Sequence, residues 1–404
     1  MDFNLNKFLR AIANTLDTVE IDIFGLPTNH SKRVAYLSIM IARVIELQEE
    51  EIFDLSSLAI MHDNGASLKI LHDSLKGTAK EKLDIMESRK EHCVIGNDNL
   101  KDFPFFTTPI NVILYHHEKF DGSGFFGIKG NEIPLYSQII VLADTLDLTF
   151  DLREGTQIKR EVEAFIRKHI GTFFSPVVAD AFLQASIRAG FWEGFQDLNI
   201  DSSLAKSVPL FSNVMSYEEI RELTKTLSRI IDAKSKYTYE HSLNLSAKMA
   251  IMADHYHIDS ITKYKLLIAS DLHDLGKLII SNEILDKPGR LMDIEYDEIM
   301  RHPVITRQCL ENVSGFEDIA KWAGNHHEKL NGSGYPDGLF SEELDFYSRL
   351  LASLDVYQAL TEERPYRSRM NHHKAMEVMQ EMVDSGGLVP QVVRDVDLVF
   401  SRAK

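Results

Sequence analysis

The second half of the chain spaces histidines and aspartates so that they could hold a pair of metal ions. His273 and Asp274 are adjacent, as are His326 and His327 in "HHEKLNGSGYPDG" (326–338). Imidazole and carboxylate groups suit iron, manganese, zinc or nickel. A carboxylate beside a histidine can bridge two metals, and such a pair favours in-line displacement at phosphorus. The candidate ligands are His241, His273, Asp274, His302, His326, His327 and Asp355.

The first half of the chain repeats this pattern, with "HHEKFDGSGFFG" at 116–127. Three of its candidate ligands precede their counterparts by 211 residues and two precede them by 210. An offset kept to within one residue indicates an internal duplication, and so long a period predicts that each copy is a whole domain. The first-copy candidates are His30, His62, Asp63, His92, His116, His117 and Asp144.

Hydrophobic periodicity predicts mostly helical elements around these residues. Apolar residues recur at three- and four-residue steps in 35–46, 218–231, 243–252 and 373–382. The segment 316–327 is predicted to be helical up to its two histidines, and 195–215 is predicted to be irregular. Ser216 with Glu219 has a capping-box pattern that opens the next helix. We predict an all-α fold of two tandem domains, 1–205 and 206–404, with the boundary near 200–212.

Charge and composition limit the partners. The net charge of −17 argues against a nucleic-acid polymer, because such binding neutralises phosphates with Lys and Arg. Two cysteines cannot form a disulfide framework, and no apolar run reaches the ~18 residues of a membrane span. With no signal-peptide pattern at the start, we predict a cytoplasmic protein without a membrane partner. A homodimer or a regulatory protein partner remains open.

Several residues near the second-copy ligands could bind phosphate. Lys277 lies one helical turn past His273, so its ammonium group could reach a phosphate oxygen or the leaving oxygen. Arg364 and Arg367 are three residues apart, and guanidinium groups suit phosphate oxygens; a surface ion pair is the alternative. Gly332, Gly334 and Tyr335 predict a turn whose aromatic ring contacts a ligand, and Pro336 constrains that turn. The alternative for these residues is a purely structural loop.

The motifs "HDLGK" (273–277), "HHEKLNGSGYPDG" and "SLDVYQALTEERPYR" (353–367) resemble the HD-GYP subfamily of HD-domain phosphohydrolases over roughly 230–395. The resemblance implies HD-domain helical bundles that hydrolyse cyclic dinucleotides with two or three metals, often iron or manganese. It implies one metal at His241, His273, Asp274 and Asp355, and another at Asp274, His302, His326 and His327. In some members a glutamate helps to hold a third metal. Tyr237 occupies that position here, so we expect two metals.

The first copy resembles the same subfamily in its metal ligands but not in its phosphate-binding residues. Ala66 replaces the lysine of "HDLGK", and Phe125 and Phe126 replace Tyr335 and Pro336. The first copy has no "RPYR" stretch. This copy could hold two more metals, and we predict a regulatory or structural role for it. A second enzyme with another substrate is the alternative.

The sequence therefore predicts a metal-dependent phosphodiesterase that opens cyclic di-GMP or 3',3'-cyclic GMP-AMP to a linear dinucleotide, with mononucleotide as a further product. Asp274 and Lys277 are the candidate catalytic residues. Iron or manganese is the expected metal. The alternatives are a cyclic-dinucleotide receptor without hydrolytic activity, a di-iron oxygenase on the same scaffold, and a general nucleotide phosphohydrolase.

Overall fold

The computed structural model describes residues 1–24, 29–65, 90–234, 240–287, 289–363 and 368–401. They form two compact units. One contains the described residues from Phe3 to Asn213, and the other contains those from Val214 onward together with Met1 and Asp2. The predicted division of function at residues 205 and 206 lies slightly earlier and stays a prediction.

The first unit is built from helices that surround α2. This helix is buried along most of its length and packs against α3, α5 and α7. The short strand Asp2–Phe3 precedes α1, and three 3₁₀ turns (Gly130–Glu132, Leu152–Gln157 and Trp192–Phe195) connect the later helices. The helices are α1 (Leu5–Phe24), α2 (His30–Val44), α3 (Glu49–Ile60), α4 (Glu91–Leu100), α5 (Leu135–Thr149), α6 (Lys159–His169), α7 (Pro176–Ala185) and α8 (Ile200–Ser207).

The second unit follows the short strand Asn213–Val214, and in it α11 packs against α9 and α10 while α14 packs against α15. A 3₁₀ turn, Leu275–Ile279, follows α11. The helices are α9 (Tyr217–Asp232), α10 (His241–His255), α11 (Ser260–Leu272), α12 (Asn282–Leu285), α13 (Asp293–Met300), α14 (His302–Leu310), α15 (Glu317–Gly324), α16 (Phe346–Thr361), α17 (His372–Asp384) and α18 (Pro390–Phe400).

The predicted all-α fold is confirmed, and so is the helix start at Ser216. The Ser216 hydroxyl accepts the backbone N–H of Glu219, whose carboxylate accepts the backbone N–H of Ser216 in return. Leucines and isoleucines of α9 are buried at helical spacing, including Ile220, Leu223 and Leu227, so one face of this helix joins the core. None of the described helices is both long and apolar enough to span a membrane.

Two local predictions were wrong. The segment 195–215 is not irregular throughout, because Ile200 and Leu204 are buried one turn apart and support α8. The helix that leads to the paired histidines of the second copy ends at Gly324, so His326 and His327 lie in the turn after it. The ring of His326 donates to the carbonyl of Ala323, which occupies an acceptor that a longer helix would use.

Both units present their candidate ligands from the same kinds of element. His30 begins α2 and His241 begins α10, while His62 and His273 follow the ends of α3 and α11. His92 lies in the first turn of α4 and His302 begins α14. Asp144 and Asp355 project from the buried sides of α5 and α16. The candidate ligand sets therefore occur in the same order on corresponding elements.

Two candidate metal centres

The second-copy ligands converge because the backbone after α11 lies directly against the start of α14. A side chain on Gly276 would put its Cβ 2.1 Å from the carbonyl oxygen of His302, so only glycine fits there. The hydroxyl of Thr306 links the two segments further, since it accepts from Gly276 N and donates to His273 O. The glycine of "HDLGK" thus allows His273 and His302 to reach the same centre.

Backbone carbonyls orient three of the second-copy histidines. The Nδ1 atoms of His273, His302 and His326 lie 2.8, 2.6 and 2.6 Å from the carbonyl oxygens three residues earlier. A carbonyl only accepts, so each Nδ1 carries the proton and each Nε2 keeps its lone pair. This is the usual support for a metal-binding histidine.

The lone pairs of these rings face one another in a way that calls for a cation. The Nε2 atoms of His302 and His326 are 3.2 Å apart, and those of His241 and His273 are 3.3 Å apart. Two acceptors at this distance repel unless a positive charge lies between them. The donor set of imidazoles and carboxylates fits a metal ion at each of these two places.

Asp274 lies between the two histidine pairs and offers one oxygen to each. Its Oδ1 is 3.4 Å from His302 and 3.8 Å from His326, and its Oδ2 is 3.3 Å from His273 and 4.0 Å from His241. Oδ1 is buried and accepts no hydrogen bond from the part of the chain that the structure describes. A buried carboxylate oxygen left in this state is suited to metal coordination.

Electrostatics favours deprotonated ligands in one half of the centre and positive charge in the other. Burial lowers the pKa of His326 to about 4, with a further contribution from His273, and burial lowers the pKa of His302 as well. Burial alone would lower the pKa of His241, but hydrogen bonds to Asp355 and Glu362 raise it to about 9. Its Nε2 thus favours a bound proton or a metal ion. Burial would raise the pKa of Asp274, but His273 and Lys277 hold it well below its ordinary value.

Asp355 and His327 complete the set of candidate ligands in the second copy. One oxygen of Asp355 is 3.1 Å from His241 Nε2, and the other is 3.9 Å from His327 Nδ1. The ring of His327 lies beside that of Tyr335, with centroids 4.8 Å apart. All seven second-copy ligand candidates therefore belong to one centre, which Tyr335 borders on the side of His327.

Two of the predicted phosphate-binding residues, Lys277 and Tyr335, lie at the second centre. The ammonium of Lys277 is 2.6 Å from Oδ2 of Asp274, so the lysine extends into the centre. Tyr335 borders the centre, and its backbone N–H donates to His327 O. Gly332 has φ 73°, and a Cβ on Gly334 would lie 2.4 Å from Lys329 N. Arg364 and Arg367 lie outside the described residues, as do Ala66 and Tyr237.

Glu328 closes the Gly-Ser-Gly-Tyr-Pro loop. One of its oxygens accepts the backbone N–H groups of Asp337 and Gly338 at 2.7 and 3.1 Å, and the other accepts that of Leu339 at 3.0 Å. Its side chain is buried. In the first copy Glu118 accepts from Phe126 and Ile128 in the same way. The glutamate of each "HHEK" thus holds the following loop by accepting its backbone N–H groups, and we call this contact the clasp.

The first centre reproduces the geometry of the second. Six equivalent histidine–carboxylate distances agree between the copies, the largest difference being 3.8 against 3.3 Å for His326–Asp274 and His116–Asp63. The other five pairs, with the second copy first, are 3.4 and 3.8 Å for His302–Asp274 and His92–Asp63, 3.3 and 3.5 Å for His273–Asp274 and His62–Asp63, 3.8 and 3.6 Å for His273–Asp355 and His62–Asp144, 3.1 and 3.3 Å for His241–Asp355 and His30–Asp144, and 3.9 and 4.0 Å for His327–Asp355 and His117–Asp144. His62 Nε2 and Asp144 Oδ1 are buried without a hydrogen-bond partner among the described residues. The first copy therefore fits a metal as well.

The support for the first histidine differs between the copies. In the first copy His30 Nδ1 bonds Asp147, which a buried Arg33 holds with two hydrogen bonds. In the second copy His241 Nδ1 bonds Glu362 at 2.8 Å, and Gln358 donates to the same carboxylate. Both carboxylates orient the ring, and in the first copy a buried arginine also neutralises the carboxylate.

The surroundings of the first centre combine phenylalanines with polar residues and include a thiol. Phe125 takes the place of Tyr335, with its ring centroid 5.7 Å from that of His117. A cavity of about 340 Å³ reaches His117 and Asp144 and is walled by phenylalanines, among them Phe165. The sulfur of Cys93 lies 3.3 Å from His92 Nε2. Burial raises the pKa of this thiol, but His116 and His92 lower it to about 7.

Sequence reasoning missed the roles of four residues: Glu328, Glu362, Gly276 and Cys93. Repetition of "HHEK" in both copies was a signal for Glu328, and "HDxG" in both copies was one for Gly276. Glu362 is one of two glutamates just before Arg364, a spacing that suggests only a surface ion pair. Cys93 is one of two cysteines, too few for a disulfide framework, although it adjoins a predicted ligand.

Comparison with known proteins agrees with this architecture. The HD domain family model matches residues 22–166 and 225–390. The 3'3'-cGAMP-specific phosphodiesterase 1 of Vibrio cholerae is 31% identical over 398 residues, which cover 96% of this chain and 90% of that protein. A cyclic di-GMP phosphodiesterase of Pseudomonas aeruginosa is 33% identical over 168 residues, covering 41% of this chain and 39% of that protein. A crystal structure of a V. cholerae cyclic GMP-AMP-specific phosphodiesterase superposes with a TM-score of 0.67 and 24% identity, covering 100% of this chain and 99% of that one.

Two matches to one family model, each spanning one copy, define a tandem arrangement of HD domains. The chain belongs to the HD-domain family, and the HD-GYP resemblance of its second copy is confirmed.

Proposed function

We propose that the second copy is a metal-dependent phosphodiesterase that opens a cyclic dinucleotide. The observation that carries this proposal is the centre around Asp274, where a buried carboxylate offers one oxygen to each of two facing histidine pairs. Such a centre suits two divalent ions, for which we propose iron or manganese. Similarity over nearly the whole chain to a cyclic-dinucleotide phosphodiesterase supports the same reaction.

The ligands divide into two sets that share Asp274. His241, His273 and Asp355 would hold one ion, and His302, His326 and His327 would hold the other. Bound metals would lower the pKa of a coordinated water and neutralise charge on the phosphoryl oxygens.

The other residues position the substrate. Lys277 supplies a cation at 2.6 Å from Asp274, where it can contact a phosphate or leaving oxygen. Tyr335 forms a wall beside His327 and offers a ring and a hydroxyl to the nucleotide. Glu328 keeps that wall in place through three backbone hydrogen bonds. We retain Arg364 and Arg367 as further phosphate contacts, on the sequence pattern alone.

We propose 3',3'-cyclic GMP-AMP as the preferred substrate. The relatives that cover both copies are named for this nucleotide. Cyclic di-GMP is the second candidate, because relatives named for it align with about two fifths of the chain. Cys93 and Cys309 are not joined in a disulfide, which supports action in a reducing cytoplasm.

We further propose that residues 1–205 regulate residues 206–404. The first centre keeps the metal-binding geometry, but its loop presents Phe125 where the second copy has Tyr335. Its cavity of about 340 Å³ lies at the small end of the ~300–1,000 Å³ range of ligand pockets. A small regulatory ligand fits such a space better than a cyclic dinucleotide.

The test compares Asp274→Asn with Asp63→Asn in the full chain, loaded anaerobically with iron or manganese. Asp274→Asn should abolish hydrolysis of both nucleotides and lower the metal content of the second copy. Asp63→Asn should lower the metal content of the first copy while hydrolysis continues. Loaded metals without hydrolysis of either nucleotide by the unmodified chain would overturn the phosphodiesterase proposal. Oxygen consumption in the same samples would then favour an oxygenase.

A further inference from the structure

The first centre contains a cysteine that the second centre lacks. Cys93 follows His92, and at the matching position after His302 the second copy has Pro303. Cys93 is fully buried, and its sulfur, together with ligand atoms of His92, His116 and His117, forms a group in which all four atoms lie within 4.8 Å of one another.

The spacing within this group suits direct metal ligation. Metal–nitrogen bonds of ~2.1 Å and metal–sulfur bonds of ~2.3 Å at a tetrahedral angle put the two donor atoms about 3.6 Å apart. The observed distance from Cys93 Sγ to His92 Nε2 is 3.3 Å. The neighbouring His116 is turned toward the same place, because its Nδ1 bonds Ile113 O and its Nε2 lies 3.3 Å from Asp63 Oδ1.

An independent feature of the same centre also points to a bound cation. His62 Nε2 and Asp144 Oδ1 are buried and lack hydrogen-bond partners in the described part of the chain. They are 3.6 Å apart, much as their counterparts His273 and Asp355 are 3.8 Å apart. The thiol therefore lies in a centre whose other ligands are already arranged for metal.

We propose that Cys93 is a metal ligand and that the first centre is a mixed histidine–cysteine site. This inference rests on metal binding by the first copy and is independent of the phosphodiesterase assignment.

A thiolate changes which ion the first copy selects. Sulfur ligands favour Zn²⁺, Co²⁺ or Fe²⁺ over Mn²⁺ and Mg²⁺, whereas the described ligands of the second centre are nitrogen and oxygen only. The two copies would therefore hold different metals when several are available. The first copy would keep zinc, or iron, under conditions in which manganese fills the second.

The test uses the full chain with Co²⁺ as the probe, since thiolate-bound cobalt has a charge-transfer absorption in the near ultraviolet that nitrogen and oxygen ligands do not produce. Cys93→Ser is compared with Cys309→Ser, which changes the one other cysteine in the sequence. We expect the absorption in the unmodified chain and in Cys309→Ser. We expect its loss in Cys93→Ser, together with weaker binding of Zn²⁺ by more than about tenfold.

Absence of the absorption from cobalt-loaded unmodified chain, or its persistence in Cys93→Ser, would overturn the proposal. If Cys93→Ser does not fold, ¹¹³Cd NMR of the unmodified chain decides, because sulfur ligation shifts the cadmium resonance strongly downfield. Hydrolysis is measured separately on the unmodified chain loaded with iron or manganese. A chain that shows the thiolate absorption with cobalt but no hydrolysis with iron or manganese would refute the phosphodiesterase and leave the cysteine site standing.

Discussion

The most informative perturbation outside the ligand set is Glu328→Gln. The substitution keeps the size of the buried side chain but replaces one carboxylate oxygen with an amide NH₂ group. That group cannot accept a hydrogen bond, so either Leu339 N–H or the N–H pair of Asp337 and Gly338 faces a donor. A hydrogen bond to a charged group contributes about 1.5–3 kcal/mol. Because substrate binds to the loop in its hydrogen-bonded conformation, losing this free energy lowers kcat/KM roughly 10- to 150-fold.

The assay measures kcat and KM on 3',3'-cyclic GMP-AMP together with metal content. We expect KM to carry most of the change and metal content to stay unchanged, because both oxygens of Glu328 accept hydrogen bonds from the loop. Glu118→Gln makes the same change in the first copy, where Glu118 clasps the loop through Phe126 and Ile128. It should leave the kinetics unaltered. Wild-type kcat/KM in a metal-loaded Glu328→Gln chain would refute the role of the loop in binding, and loss of metal would refute the clasp assignment.

Two further substitutions test the support of the second centre. Glu362→Gln removes the charge that bonds His241 Nδ1 at 2.8 Å, so metal affinity should fall about 10- to 100-fold; unchanged affinity in a metal titration would contradict this role. Gly276→Ala would put a Cβ 2.1 Å from His302 O and should destabilise the second unit by at least about 1–3 kcal/mol in denaturant unfolding. Gly289→Ala is its control, because a Cβ there meets no atom of the described residues within 4 Å.

The metal centres could be predicted because the duplication repeats the spacing of their ligands. The pair His241 and Asp355 is separated by more than a hundred residues, yet the same offset recurs for His30 and Asp144. An internal duplication that retains both sets of candidate ligands accounts for a spacing of that kind. The helices around these residues could also be predicted, because apolar residues on a buried helix face recur every three or four positions.

The residues that support the ligands could not be predicted in this way. Glu362 reaches His241 from beyond the end of α16, whereas Asp151, at the same offset in the first copy, pairs with Arg153. Asp147 supports His30 from within α5 instead. The thiol of Cys93 contacts the first centre, but sequence shows only that it adjoins His92. These contacts depend on where side chains point after packing, which neither spacing nor residue type determines.

The loop of the first copy bears on what that copy does. Glu118 still clasps it, and Gly124 still approaches the backbone of Glu118 so closely that a Cβ would lie 2.7 Å away. A metal site with a purely structural role would need its ligands but not this loop. The loop instead presents Phe125 to the cavity beside His117, where the second copy presents Tyr335. The first copy has thus kept a walled pocket at its centre and has Phe125 where the second copy has the hydroxyl-bearing Tyr335, which favours binding of a different ligand over a merely structural role.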